Sequence, residues 1–139
     1  MKKIILLFIG CAMFSLSSYA QHLFGSTHKD VRDTLLHNGY KYIQSKNAND
    51  GTIYDEYYDS DGMDIVCYFN GQEQCYQVRR FLKRSTLIDE IQYLNKTYIK
   101  VDKNNWVNKE TTTKIYLKMP GDDDDYYSVS YVSMTTSEK

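Results

Sequence analysis

Two alternating apolar runs meet at Asn70-Gly71, and they constrain this fold more than any other segment. In residues 63–69 and 74–83 apolar side chains such as Ile65, Val78 and Leu82 recur at strand spacing. Asn-Gly between such runs is a strong hairpin signal. A two-residue turn sets Phe69 opposite Gln72, Cys67 opposite Gln74, Ile65 opposite Tyr76 and Met63 opposite Val78. Met63, Ile65, Phe69, Tyr76 and Val78 then share a buried face, and Cys67 and Cys75 point to opposite faces. A one-residue slip would pair the two cysteines in a disulfide but set Ile65 and Met63 against Gln77 and Arg79. Both readings of Cys67 and Cys75 stay open.

Around this hairpin the chain punctuates itself. Strands are predicted over 40–45, 52–59, 98–102, 111–119 and 126–134, with a tight turn at Asp61-Gly62, Trp106 in a loop and a frayed tail over 135–139. One helix opens at Gly25-Ser26-Thr27, where the Thr27 hydroxyl caps it and Asp30 reaches back. Val31, Leu35 and Leu36 give its apolar face, and His37-Asn38-Gly39 ends it. A second starts at Ser85-Thr86, with Thr86 as cap, Asp89 three residues on, and Ile88, Ile91 and Leu94 in a stripe. The expected class is α+β: an antiparallel sheet with two helices packed on one face. Ser-Thr-x-x-Asp recurs at 26–30 and 85–89, and Thr52-Ile53-Tyr54 is echoed by Lys114-Ile115-Tyr116. Two helix-then-sheet repeats, 26–83 and 85–134, would account for this, and so would chance recurrence of a common capping pattern.

The N-terminus bears on location. Lys2 and Lys3, the apolar run to Leu16 and Ser18-Tyr19-Ala20 have the layout of a cleaved signal peptide, 1–20, leaving a single domain over 21–139. The run is too short to span a bilayer, so the product is expected to be exported, periplasmic or secreted, and not transmembrane. Cys11 after Phe8-Ile9-Gly10 offers the alternative of a lipoprotein. The net charge of −1 becomes more negative once Lys2 and Lys3 leave, which argues against nucleic acid as a partner. The 14 tyrosines suit strands and also binding surfaces, where the ring gives rigid contact area.

Gly25-Ser26-Thr27-x-x-Asp30-Val31-x-x-x-Leu35, followed by strands and by Asp64-Ile65-Val66-Cys67-Tyr68-Phe69-Asn70-Gly71 and Val78, resembles the SmpA/BamE-type small exported domain. The relatives of β-lactamase inhibitory protein share that architecture. The resemblance covers residues 24–81 and, more loosely, 85–134. The Leu-Gly-x-Pro usual after the helix is replaced by Leu36-His37-Asn38-Gly39-Tyr40. The resemblance implies a capped helix on an antiparallel sheet and a non-enzymatic binding module.

Chemistry-bearing patterns are sparse. Asp30, Asp33 and His37 can share a helix face, but a capping acid with a solvated face explains them better than a metal. His22 and His28 stand isolated, and no histidine near Cys67 or Cys75 in sequence could activate a thiol. With Gly62 as the sixth position of a calcium loop, Tyr57 and Tyr68 would occupy its ends, where acids are needed. Asp122 to Asp125 could offer oxygens to calcium, although such runs are usually solvated loop tips. No zinc-protease, phosphate-loop or serine-elbow pattern occurs. The expected function is a non-catalytic, bacterial exported binding module without cofactor or metal, whose partner is a protein or cell-envelope component. Tyr57, Tyr68, Trp106, Tyr126 and Tyr127 are the expected contact residues, with Tyr57, Val66 and Tyr68 facing away from the core. The alternatives are an inhibitor of a secreted hydrolase, presenting loops 59–62 or 120–125, and a small secreted enzyme.

Overall fold

The computed structural model describes residues 20–136, so the expected leader lies outside the described residues except for Ala20, and Cys11 lies outside them altogether. Residues 20–23 are helical, and Ala20 and Leu23 pack at the edge of the core. Helix α1 (His28–His37) is followed by β1 (Lys41–Asn47), β2 (Ile53–Tyr58), β3 (Asp64–Phe69) and β4 (Cys75–Lys83). A 3-10 turn (Arg84–Thr86) leads into α2 (Leu87–Thr97), then β5 (Ile99–Asp102), β6 (Asn105–Asn108), β7 (Thr113–Lys118) and β8 (Tyr126–Ser133).

The strands form an eight-stranded antiparallel sheet in the order β1-β2-β3-β4-β8-β7-β6-β5. The fold is α+β. Each half is a helix followed by a four-stranded meander, and the last strands of the halves, β4 and β8, pair at the centre. The Thr52–Tyr54 and Lys114–Tyr116 echo falls on β2 and β7, the second strand of one half and the third of the other. It therefore does not mark equivalent positions.

One face is covered. Val31 and Leu35 of α1 and Leu94 of α2 join Tyr57, Ile65, Cys67, Phe69, Val78, Trp106, Ile115, Val129 and Tyr131 in one core. Thr27 caps α1 as expected, its Oγ1 accepting from the Asp30 amide at 3.3 Å. Thr86 does not cap α2. Its hydroxyl donates to the Lys83 carbonyl (2.8 Å) and meets the Tyr127 hydroxyl (2.9 Å), because the 3-10 turn has already begun the helical path.

Loop length decides which side chains share a face. Both expected two-residue turns are five-residue loops of one design. Asp59 Oδ1 accepts from the amides of Asp61 and Met63, and Asn70 Oδ1 accepts from those of Gln72 and Gln74. The left-handed position falls on Gly62 in one and on Glu73 in the other. Tyr58 therefore pairs with Asp64 and Tyr57 with Ile65, one residue from the expected register. Such a slip moves a whole strand to the other face. Tyr57, expected to face away from the core, is fully buried in it.

The same effect places Phe69 opposite Cys75 and, after a bulge, Cys67 opposite Val78. Ile65, Phe69 and Val78 share the buried face as expected, but Cys67 and Cys75 join them rather than dividing between the faces. Both are buried thiols, with the Cys75 Sγ–H directed at the Gln77 carbonyl (3.8 Å). Trp106 sits not in a loop but in β6, paired with Ile115, and is 1 % exposed. Its indole N–H donates to Asn95 Oδ1 of α2 at 3.0 Å, which ties helix to sheet.

Candidate functional site

Among the described residues, the pairing register leaves the other face without a helix. Tyr54 and Tyr58 on β2, Tyr68 on β3, Phe81 on β4, Tyr116 on β7 and Tyr126 on β8 alternate with covered-face residues and so point the opposite way. Tyr116 is 40 % and Tyr126 49 % exposed, and Tyr54, Tyr58, Tyr68 and Phe81 are half-buried. These rings are held rather than loose. Tyr54 packs on Tyr68 (centroids 5.7 Å apart), and the Arg79 guanidinium lies 5.5 Å from the Tyr68 centroid while donating to Ser130 Oγ at 3.1 Å. Lys41 stands 5.8 Å from the Tyr58 centroid. Burial raises the Tyr68 hydroxyl above the ordinary tyrosine range, with Arg79 opposing, so the ring presents a neutral O–H at physiological pH.

Two of the expected contact residues lie on this open face, Tyr68 and Tyr126. Three do not. Tyr57 was displaced by the longer loop, Trp106 belongs to a strand, and Tyr127, next to Tyr126, necessarily points the other way and is 2 % exposed. Val66 faces out as expected but is nearly covered by its neighbours. Arg79, Phe81 and Tyr116 were not expected. Their signal was alternation with Val78, Leu82, Ile115 and Leu117, all read as strand-forming but not assigned to faces.

Loops 59–62 and 120–125 come to the same end of the sheet. Two grooves there, of about 250 Å³ and 260 Å³, share Phe81 and Tyr126. One is flanked by Gly62, Met63 and Asp64, the other by Lys118, Met119, Asp124 and Asp125. Both fall below the usual volume of a small-molecule site, about 300–1,000 Å³. The face as a whole is far larger. Strands about 4.8 Å apart and roughly six residues long give an area on the order of 600 Å², close to one side of a standard protein interface. The sheet edges are less inviting. β5 is four residues with an irregular register and Lys100, and β1 has a bulge between Tyr42 and Gln44 and carries Lys41 and Lys46, features that discourage strand addition.

The acidic run is exposed. Arg84 closes its loop, donating from one guanidinium nitrogen to the carbonyls of Gly121 (2.9 Å), Asp122 (3.1 Å) and Asp124 (3.2 Å), and Asp124 Oδ2 accepts from the Gly121 amide. Carbonyls that a hard cation would use thus already serve a cation of the chain. Among the described residues no group of three His, Cys, Asp or Glu side chains is placed to hold a metal, and no helix is long and apolar enough to cross a membrane.

A second polar cluster lies under α1. His28 stacks on Phe69 (centroids 3.6 Å apart) and places Nδ1 3.1 Å from Asp55 Oδ2, while Ser45 Oγ donates to Asp55 Oδ1. Asp55 is fully buried and the His28 side chain 25 % exposed. The residues are those of a hydrolytic triad in the wrong order. A serine nucleophile needs its proton taken by the histidine, whereas here both partners meet the carboxylate. Cys67 lies beside Asp55 in register, but the Cys75 side chain and burial push its thiol well above the ordinary range, which disfavours the reactive thiolate. This cluster anchors α1 to the sheet.

Under α2 the Glu90 carboxyl is raised by burial, with Arg80 opposing. A raised carboxyl favours the folded state where it is protonated and loses that contribution as pH rises through its folded value. Glu90→Gln is therefore expected to raise the melting temperature at neutral pH. The gain should vanish below about pH 4, the ordinary glutamate range. Thermal scans across pH check this, and an equal effect at both ends would contradict it.

Compared with family models, curated proteins and solved structures, the chain matches none.

Proposed function

We propose that this chain is an exported, non-catalytic interaction module that docks a protein or cell-envelope component on the open face of its sheet. The observation that carries the reading is the asymmetry of the two faces. Among the described residues α1, α2 and the packed core lie on one, and the other displays positioned tyrosines over an area suited to a protein partner. Antiparallel sheets tolerate a wet face, but a wet face built from half-exposed rings suits recognition, because each ring adds contact area at low entropic cost. Export rests on Lys2, Lys3, the apolar run and Ser18-Tyr19-Ala20. The resemblance to SmpA/BamE-type domains and to relatives of β-lactamase inhibitory protein points to the same class of function.

The test is co-purification from the cell envelope with wild type and with the Tyr68→Ser/Tyr116→Ser variant. Loss of the co-purifying component with the melting temperature shifted by no more than about 2–4 °C, as for a surface change, is the expected result. Undiminished co-purification would count against the open face. The meeting of loops 59–62 and 120–125 beside Phe81 and Tyr126 favours a second reading, an inhibitor inserting these loops into a secreted hydrolase. Inhibition assays against such hydrolases separate the two.

A further inference from the structure

The charge on the open face is not that of the chain. Lys41, Lys46, Arg79, Lys83, Lys114 and Lys118 all fall on it by register, against the acids Glu56, Asp64 and Asp102. Basic groups outnumber acids two to one there, although the chain as a whole is at −1. Two of those acids are engaged locally. Gln44 Nε2 donates to Glu56 at 2.7 Å, and Asn105 Nδ2 donates to Asp102 at 2.7 and 2.8 Å. Lys83, Lys114 and Lys118 are exposed. The densest acids, Asp122 to Asp125, are confined to the loop at one end.

We propose that the partner on this face is a protein presenting an acidic surface. The inference rests on the docking reading above and specifies its chemistry. A complementary field steers encounter and selects partners more than it adds raw affinity. A phosphate array is a poorer fit, because Glu56, Asp64 and Asp102 are interleaved among the basic groups and would face a uniform negative surface. A protein surface can answer both signs. A second copy laid face to face would oppose like charges, so the face also works against self-association.

The test uses the whole exported chain on immobilised poly-L-glutamate. Wild type should be retained at about 50 mM NaCl and released by about 300 mM, as the screening length shortens. Lys114→Glu/Lys118→Glu should weaken retention roughly tenfold or more. Lys29→Glu/Lys96→Glu makes the same change in net charge on the helices, outside the face, and should leave retention within about twofold of wild type. Equal loss in both variants would reduce the effect to net charge and overturn the proposal, as would no retention of wild type. Stronger binding to phosphatidylglycerol vesicles or to single-stranded oligothymidylate would overturn it in favour of a lipid or nucleic-acid surface. A low-salt dimer abolished by Lys114→Glu/Lys118→Glu would identify a second copy, through its acidic loop, as the occupant instead. Tyrosine-dependent co-purification that ignores both charge variants would leave the docking reading standing and remove only this inference.

Discussion

Trp106→Ala should destabilise the chain by about 3–5 kcal/mol, the range for truncating a large buried aromatic side chain. Trp106 is the largest of the fully buried side chains, packs with Ile115 and Leu94 in the core, and gives its N–H to Asn95. Its loss opens a cavity and strips the link between β6 and α2 in one change. Domains of this size are stable by about 5–15 kcal/mol, so roughly a fifth or more of the total is at stake. Urea unfolding followed by far-UV circular dichroism measures it. A loss under about 1 kcal/mol would place Trp106 at a surface, where the sequence alone had put it.

His28→Ala should be nearly as severe, for an electrostatic reason. Asp55 is fully buried, and His28 and Ser45 take its two oxygens. Removing one partner of a buried charge costs roughly 3–5 kcal/mol, because the charge stays buried and uncompensated. The lower end, about 3 kcal/mol, is expected here, because His28 is a quarter exposed and water can enter behind it. The diagnostic comparison is His28→Ala/Asp55→Ala, which removes the charge as well. It should be more stable than His28→Ala alone. If the single changes simply add, the pair is not coupled.

The limits of the sequence reading have identifiable causes. The helices were legible because Val31 and Leu35, and Ile91 and Leu94, keep helical spacing, and seven of the eight strands because runs such as Gln74–Lys83 alternate. β6 was not, since Asn105 and Asn108 bracket only Trp106 and Val107, and the polar run Asp102-Lys103-Asn104 before them reads as loop. Faces were harder than strands. Asp61-Gly62 and Asn70-Gly71 look like two-residue turns, and nothing local announces that Asp59 and Asn70 will each fold a five-residue loop around a side-chain oxygen. That misreading turned Tyr57 outward and separated Cys67 from Cys75. Tyr126 and Tyr127 are a different case. Adjacent strand residues cannot share a face, so both could not have been contacts, and β8 keeps Tyr126 outside. The His28–Asp55 contact spans 27 positions and had no sequence signal.

The open face can be tested in the cell with a photo-crosslinking amino acid placed at one position at a time. Tyr68 and Tyr116 report the open face, and Ile88, 70 % exposed on α2, reports the helical side. Crosslinks to one discrete component from positions 68 and 116 and none from 88 are the result predicted by docking on the sheet. Crosslinks from 88 with positions 68 and 116 silent would contradict it and move the partner to the helices.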